Sequence, residues 1–182
     1  MVSYYDTSGA YTVQGVYQVW TDKQGNVDPS RKPVFLYNIA YPNAVDLGVN
    51  LENAMGYDAH LRAMYPSHGK YFNYPLNDIQ RAIKEGKYFG GHVGHTTVGD
   101  FKNKITNPLL YTYADNGGNF NAGMIGAGIE MGRSLLARSG DYARTKDSGW
   151  VPQLDDRHGA RVLQDGYTFG LESIYGAALP GF

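Results

Sequence analysis

The sequence predicts an α+β fold, mostly helical, in which an N-terminal β-hairpin packs on a bundle of about four helices joined by long functional loops. Three observations lead there. Two short segments with strand character, residues 10–20 and 34–39, flank a polar turn near the start of the chain. Beyond residue 44 the apolar residues recur mainly at helical spacings of three and four. The chain has 182 residues and no cysteine, enough length for one core without disulfide or metal staples. No internal repeat or linker divides it, so residues 1–182 read as a single domain.

Ala10 to Trp20 alternates imperfectly, with Tyr11, Val13, Val16 and Val19 on its apolar side, and Gly15 marks a bulge or register change. Thr21 to Pro33 is a polar turn built on Gly25-Asn26 and Asp28-Pro29, and Val34 to Ile39 is the returning strand. A lone hairpin is marginal in water, so its apolar face must rest on helices. Val45, Leu47, Val49, Leu51 and Met55 place a helix that runs to Gly56, and Asp58 to Met64 a further short one. Pro75 opens another, in which Leu76, Ile79 and Ile83 share a face and Gly86 ends the run.

Residues 87–119 hold little regular pattern and many polar groups, a loop long enough to be functional. Asp115, Asn116, Gly117 and Gly118 are turn formers, after which Asn121 is expected to cap a central helix ending near Gly140. Met124, Met131 and Leu135, with Ile125, Ile129 and Leu136 beside them, supply its buried face. Gly123, Gly126, Gly128 and Gly132 would each cost roughly 1 kcal/mol there relative to alanine. They predict close approach of another element. Arg157 to Tyr175 reads as the last helix, through Val162, Leu163, Tyr167, Phe169 and Leu171.

Sixteen basic residues face 17 acidic ones, and no cationic cluster exceeds the Arg31-Lys32 pair, which argues against a dominant phosphate-binding surface. Sixteen tyrosines suit a wet groove for sugars, peptides or bases, since each ring offers an apolar face with a polar handle. The amino terminus lacks a basic region followed by an apolar run, and no stretch approaches membrane-spanning length. The expectation is a protein made in the cytoplasm without a Sec signal peptide and without membrane insertion.

Three constellations could carry chemistry. His92 and His95 with Asp100 are metal-ligand types, but the spacing is not that of a metal site, and neither metal nor cofactor is expected. Asp100 and Lys102 lie on one side of an extended segment, where they form an acid–base pair or a plain ion pair. Asp155, Asp156 and His158 form the third set, either as a carboxyl pair with one raised pKa or as caps of the last helix. Asp100 across a cleft from Asp156 would give the two-carboxylate arrangement of glycoside hydrolysis. Asn119 and Asn121 could orient a substrate or water by amide hydrogen bonds.

The run Gly118-Asn119-Phe120-Asn121-Ala122-Gly123-Met124-Ile125-Gly126 resembles the Gly-Asn-Phe-Asn-Tyr-Gly-Ala-Thr-Gly signature of the type 44 polymorphic-toxin domain. Asp100-Phe101-Lys102 is similar to that family's Trp-Asp-aromatic-Lys element, with Gly99 in place of tryptophan. Asp46 to Ala54 resembles its asparagine-bearing helix, and Asp155-Asp156 with Val162 to Tyr167 its closing acidic loop and helix. The likeness spans about residues 44–170. It implies a secreted antibacterial toxin or effector with hydrolase chemistry, delivered into a target bacterium. Its catalytic residues would be Asp100, Lys102, Asp155 and Asp156, and its substrate contacts Asn119, Asn121, Asn50, Tyr113 and His158. Partners would be a cognate immunity protein and a secretion-machine carrier or adaptor. For the target, near-neutral charge and abundant tyrosine favour cell-wall peptidoglycan reached through the periplasm. The alternatives are an RNase acting in the target cytoplasm, with Lys102 and histidines as acid and base, and a non-catalytic binding module of a secretion or tail apparatus.

Overall fold

The computed structural model describes residues 11–22, 24, 26–43, 46–64, 105–130, 132–134, 136–138, 141, 145, 149, 154 and 156–176, with side chains of the first helix placed as far as Gly56. The fold is α+β and mostly helical: a two-stranded antiparallel hairpin packed against four helices. Strand β1 (Tyr11–Gln18) pairs with β2 (Val34–Pro42) from Tyr11 opposite Pro42 to Gln18 opposite Val34. The register slips between Val16 and Tyr17, one residue beyond the irregularity expected at Gly15. The turn is held by Asp22, whose Oδ1 accepts from the amides of Gln24 (2.8 Å) and Asn26 (2.9 Å).

Helix α1 (Leu47–Met64) starts at Asp46, whose Oδ1 accepts the amides of Gly48 (2.8 Å) and Val49 (3.1 Å). It passes through Gly56 without a break, so the two helices expected on either side of that glycine are one. Helix α2 (Pro108–Gly128) begins well before Asn121, its expected cap. The cap is Asn107, whose side chain accepts from Leu109 and Leu110, with Pro108 in the first turn, where a missing N–H costs nothing. Asn121 is thus an interior residue and no cap. The helix stops short of Gly140, because Glu130 takes a left-handed conformation at φ 53°. A short helical stretch follows at residues 133, 134 and 136–138. Helix α3 (Arg157–Tyr175) has the predicted bounds, and Asp156 caps it by accepting the Gly159 amide at 2.8 Å. The helix expected at Leu76–Lys84 lies outside the described residues.

Helix α2 is the centre of the molecule, with β2, α1 and α3 all packed on it. Buried Phe120, Met124 and Val162 join Ile39, Tyr41 and Leu51 in the core. The turn-forming run Asn116-Gly117-Gly118 is buried inside this helix. A methyl group at Gly117 would collide with the Ala40 backbone, so glycine here is what lets β2 lie on α2. Gly123 faces the Leu163 carbonyl in the same way, Gly166 faces that of Phe120, and a Cβ on Gly170 would come 2.8 Å from Ala127 Cβ. Partners advance together along both helices, from Asn116 with His158 to Glu130 with Tyr175, so α2 and α3 run parallel, backbone against backbone. The expected close approach therefore holds for Gly123, for Gly126 against Leu136 and for Gly128 against Ala54. It fails for Gly132, where an added methyl would have nothing within 4 Å.

Candidate functional site

Three polar or concave features surround α2. The first lies where the hairpin meets the starts of α2's buried half and of α3. Asn116 Nδ2 donates to the Asn38 carbonyl at 2.9 Å, which turns its Oδ1 toward His158 Nε2, also at 2.9 Å. A carbonyl can only accept, so this chain of contacts fixes the amide's orientation and requires the proton on Nε2. The neutral imidazole then carries its lone pair on Nδ1. The Tyr37 ring stands edge-on to His158 at 5.6 Å, and its hydroxyl donates to Asp165 Oδ2 at 2.8 Å. Burial, the hydrogen bond to Asp165 and that carboxylate's charge together drive the Tyr37 phenol far above its ordinary pKa. Arg161 Nε lies 3.8 Å from the same Asp165 oxygen, but at the surface this ion pair adds little.

The second feature is a buried amide pair between α1 and α2. Asn50 and Asn121 are both fully buried, and Asn50 Nδ2 donates to Asn121 Oδ1 at 3.0 Å. Among the described residues, Asn50 Oδ1 and Asn121 Nδ2 have no hydrogen-bond partner. Each such orphan costs about 1–3 kcal/mol, so this pair is a point of stored instability in the core.

The third is an open groove of about 710 Å³ beneath the hairpin. Its floor is apolar, built from Ile39, Leu51, Phe120, Met124 and Phe169, and its polar end is Gln14, Tyr41 and Asp46. Among the described lining residues Asp46 is the sole charge. Burial first, and then the negative field of Asp46, raise the Tyr41 phenol above its usual range, while a hydrogen bond from Gln14 opposes them.

The residues expected from sequence are scattered among these features. Asp100, Lys102 and Asp155, like His92 and His95, lie outside the described residues. Asp156 is exposed and engages one carboxylate oxygen as the cap of α3. Asn50 and Asn121 touch each other, and neither lines the groove. Asn119 is half-buried and cannot converge with Asn121, because residues two apart on a helix diverge by about 200°. Tyr113 is half-buried on α2, one turn before Asn116. His158 joins the hairpin network. Tyr37, Asn116, Asp165, Tyr41 and Asp46 were not singled out from sequence as site residues. Only Asp46 carried a signal, as an acidic residue just ahead of an apolar-periodic run. No three His, Cys, Asp or Glu side chains among the described residues are arranged to hold a metal.

No family model matches the chain, and no curated protein or solved structure does either. The likeness to the type 44 toxin domain is one of short motifs.

Proposed function

We propose that this protein is an antibacterial effector that hydrolyses the peptidoglycan of a target cell. The groove carries the reading. It is open and floored by aromatic and aliphatic side chains, and its sole described charge is negative. A polyanion such as RNA finds no cation in such a lining, whereas a wall polymer, whose uncharged sugars and amides carry amines as well as carboxylates, is compatible with it. The acid and base are assigned to Asp100 with Asp155 or Asp156 on the motif resemblance. A cognate immunity protein and a carrier for export belong to the same proposal.

The RNase reading keeps one observation of its own. His158, with a proton held on Nε2 by the Asn116 carbonyl, sits beside exposed Arg157 and Arg161, a composition suited to general acid–base cleavage of a phosphodiester. One experiment separates the two. The protein is produced in a bacterium with and without a periplasmic leader, and the purified protein is incubated with sacculi and with RNA. The wall reading expects toxicity only in the periplasm and release of muropeptides. Cytosolic toxicity with degraded RNA and intact sacculi would transfer the function to the His158 site. In the wall assay Asp100→Asn should lower muropeptide release about a hundredfold or more, as for loss of a true acid or base.

A further inference from the structure

Helix α1 contributes a side of the groove, which is lined by its cap Asp46 and by Leu47, Gly48 and Leu51. Where α1 sits along α2 therefore sets the shape of the groove. Most of the described contact between the two helices is hydrocarbon. Leu51 lies in the core with Phe120 and Met124, Leu47 packs against that core from outside, and a Cβ on Gly128 would come 2.6 Å from Ala54 Cβ and 3.2 Å from Leu51 Cδ1. Hydrocarbon attraction has no direction, and bare glycine backbone admits a neighbour without selecting which one. Contacts of this kind hold α1 nearly as well one turn, about 5.4 Å, along α2.

The buried amide pair differs in this respect. Asn50 Nδ2 meets Asn121 Oδ1 at 3.0 Å with both side chains fully buried. One hydrogen bond is made in the observed register, and two amide atoms lack partners among the described residues. One turn away that bond is lost as well, and the desolvation of both amides goes uncompensated. Two apolar side chains of similar shape would fill the site without this preference, and such exchanges are often neutral or stabilising.

We infer that Asn50 and Asn121 are positioning residues that fix the register of α1 on α2, and with it the shape of the groove, while weakening the core. The inference stands apart from wall hydrolysis, because it concerns the groove's shape and not its occupant. The chain contains no cysteine, so spin labels can be attached uniquely through Glu52→Cys and Thr112→Cys, at exposed positions of α1 and α2. Pulsed electron–electron resonance reads the distance between the labels. With both asparagines present it should show one narrow distance. Adding Asn50→Leu and Asn121→Leu should bring a second population displaced by up to about 5 Å, with Tm equal or higher. Where two leucines overfill the site, Asn50→Ala with Asn121→Leu gives the same reading. A second, displaced population upholds the inference at any Tm. A single narrow distance unchanged in the variants would overturn it, since the pair would then be an ordinary core contact. A wholly broad distribution, as from an undocked α1, would overturn it too.

Discussion

The contact between α2 and α3 can be tested by adding one methyl group. An alanine Cβ at position 123 would lie 2.7 Å from the Tyr167 amide nitrogen and nearer still to the Leu163 carbonyl. Both are backbone atoms, so no rotamer change relieves the clash and the helices must part. Overpacking of this kind costs about 3 kcal/mol, at the upper end of the usual range, because two whole helices shift. Alanine's better helix propensity returns about 1 kcal/mol. The net loss for Gly123→Ala is about 2 kcal/mol, or about 4–8 °C in Tm for a domain of this size. Gly56 is the internal control. It lies in α1 with nothing within 4 Å of an added Cβ, so Gly56→Ala should gain about 1 kcal/mol and raise Tm by about 2–4 °C. Thermal and urea melts followed by circular dichroism measure both. Equal shifts for the two variants, or a stabilised Gly123→Ala, would refute the backbone-contact account.

Tyr37 should make the protein alkali-sensitive. Its phenol is held protonated in the fold, so its contribution is complete below the unfolded value of about 10 and declines as pH rises past it. Tyr37→Phe should cost about 1.5–3 kcal/mol at neutral pH and flatten that alkaline limb in urea titrations, and an unchanged limb would assign the sensitivity elsewhere. For the buried amides, Asn50→Ala and Asn121→Ala each leave the partner orphaned. The double variant should cost less than the sum of the singles by about 0.5–3 kcal/mol, and strict additivity would mean the pair is not coupled. Asp156→Ala should lose about 1 kcal/mol through the cap, whereas Asp156→Asn should keep its Tm; under the proposed wall hydrolysis, muropeptide release by the asparagine variant then tests whether the carboxyl has a chemical role as well.

The hairpin and α3 were legible because each follows from local rules. Alternation with a polar turn defines the strands, and an acidic cap ahead of Val162, Leu163 and Tyr167 defines the helix. The first half of α2 was not, since Asp115-Asn116-Gly117-Gly118 has the composition of a turn. Tertiary contacts reverse that preference. Asn116 is bonded at both ends of its amide, and Gly117 is squeezed against Ala40, so the poor helix formers are the ones the packing requires. The true start was written in Asn107-Pro108, a cap followed by a first-turn proline, and the turn-like run obscured it. Of the candidate site, His158 and Asp156 were visible as residue types near a helix start. The Tyr37 and Asp165 partnership joins positions 128 residues apart, and no spacing rule reaches across that distance.

The parallel course of α2 and α3 also orders events during synthesis. Two parallel helices need the chain between them to travel back along their length, so the hydrogen bonds that join them link residues 42 and 45 positions apart. A nascent chain that stops before α3 has the glycine face of α2 open to water, Tyr37 without its acceptor, and a groove lacking Phe169 and Ser173. The last helix thus acts as a latch that closes core and groove together, and a cell making this protein holds no complete groove until that helix has docked.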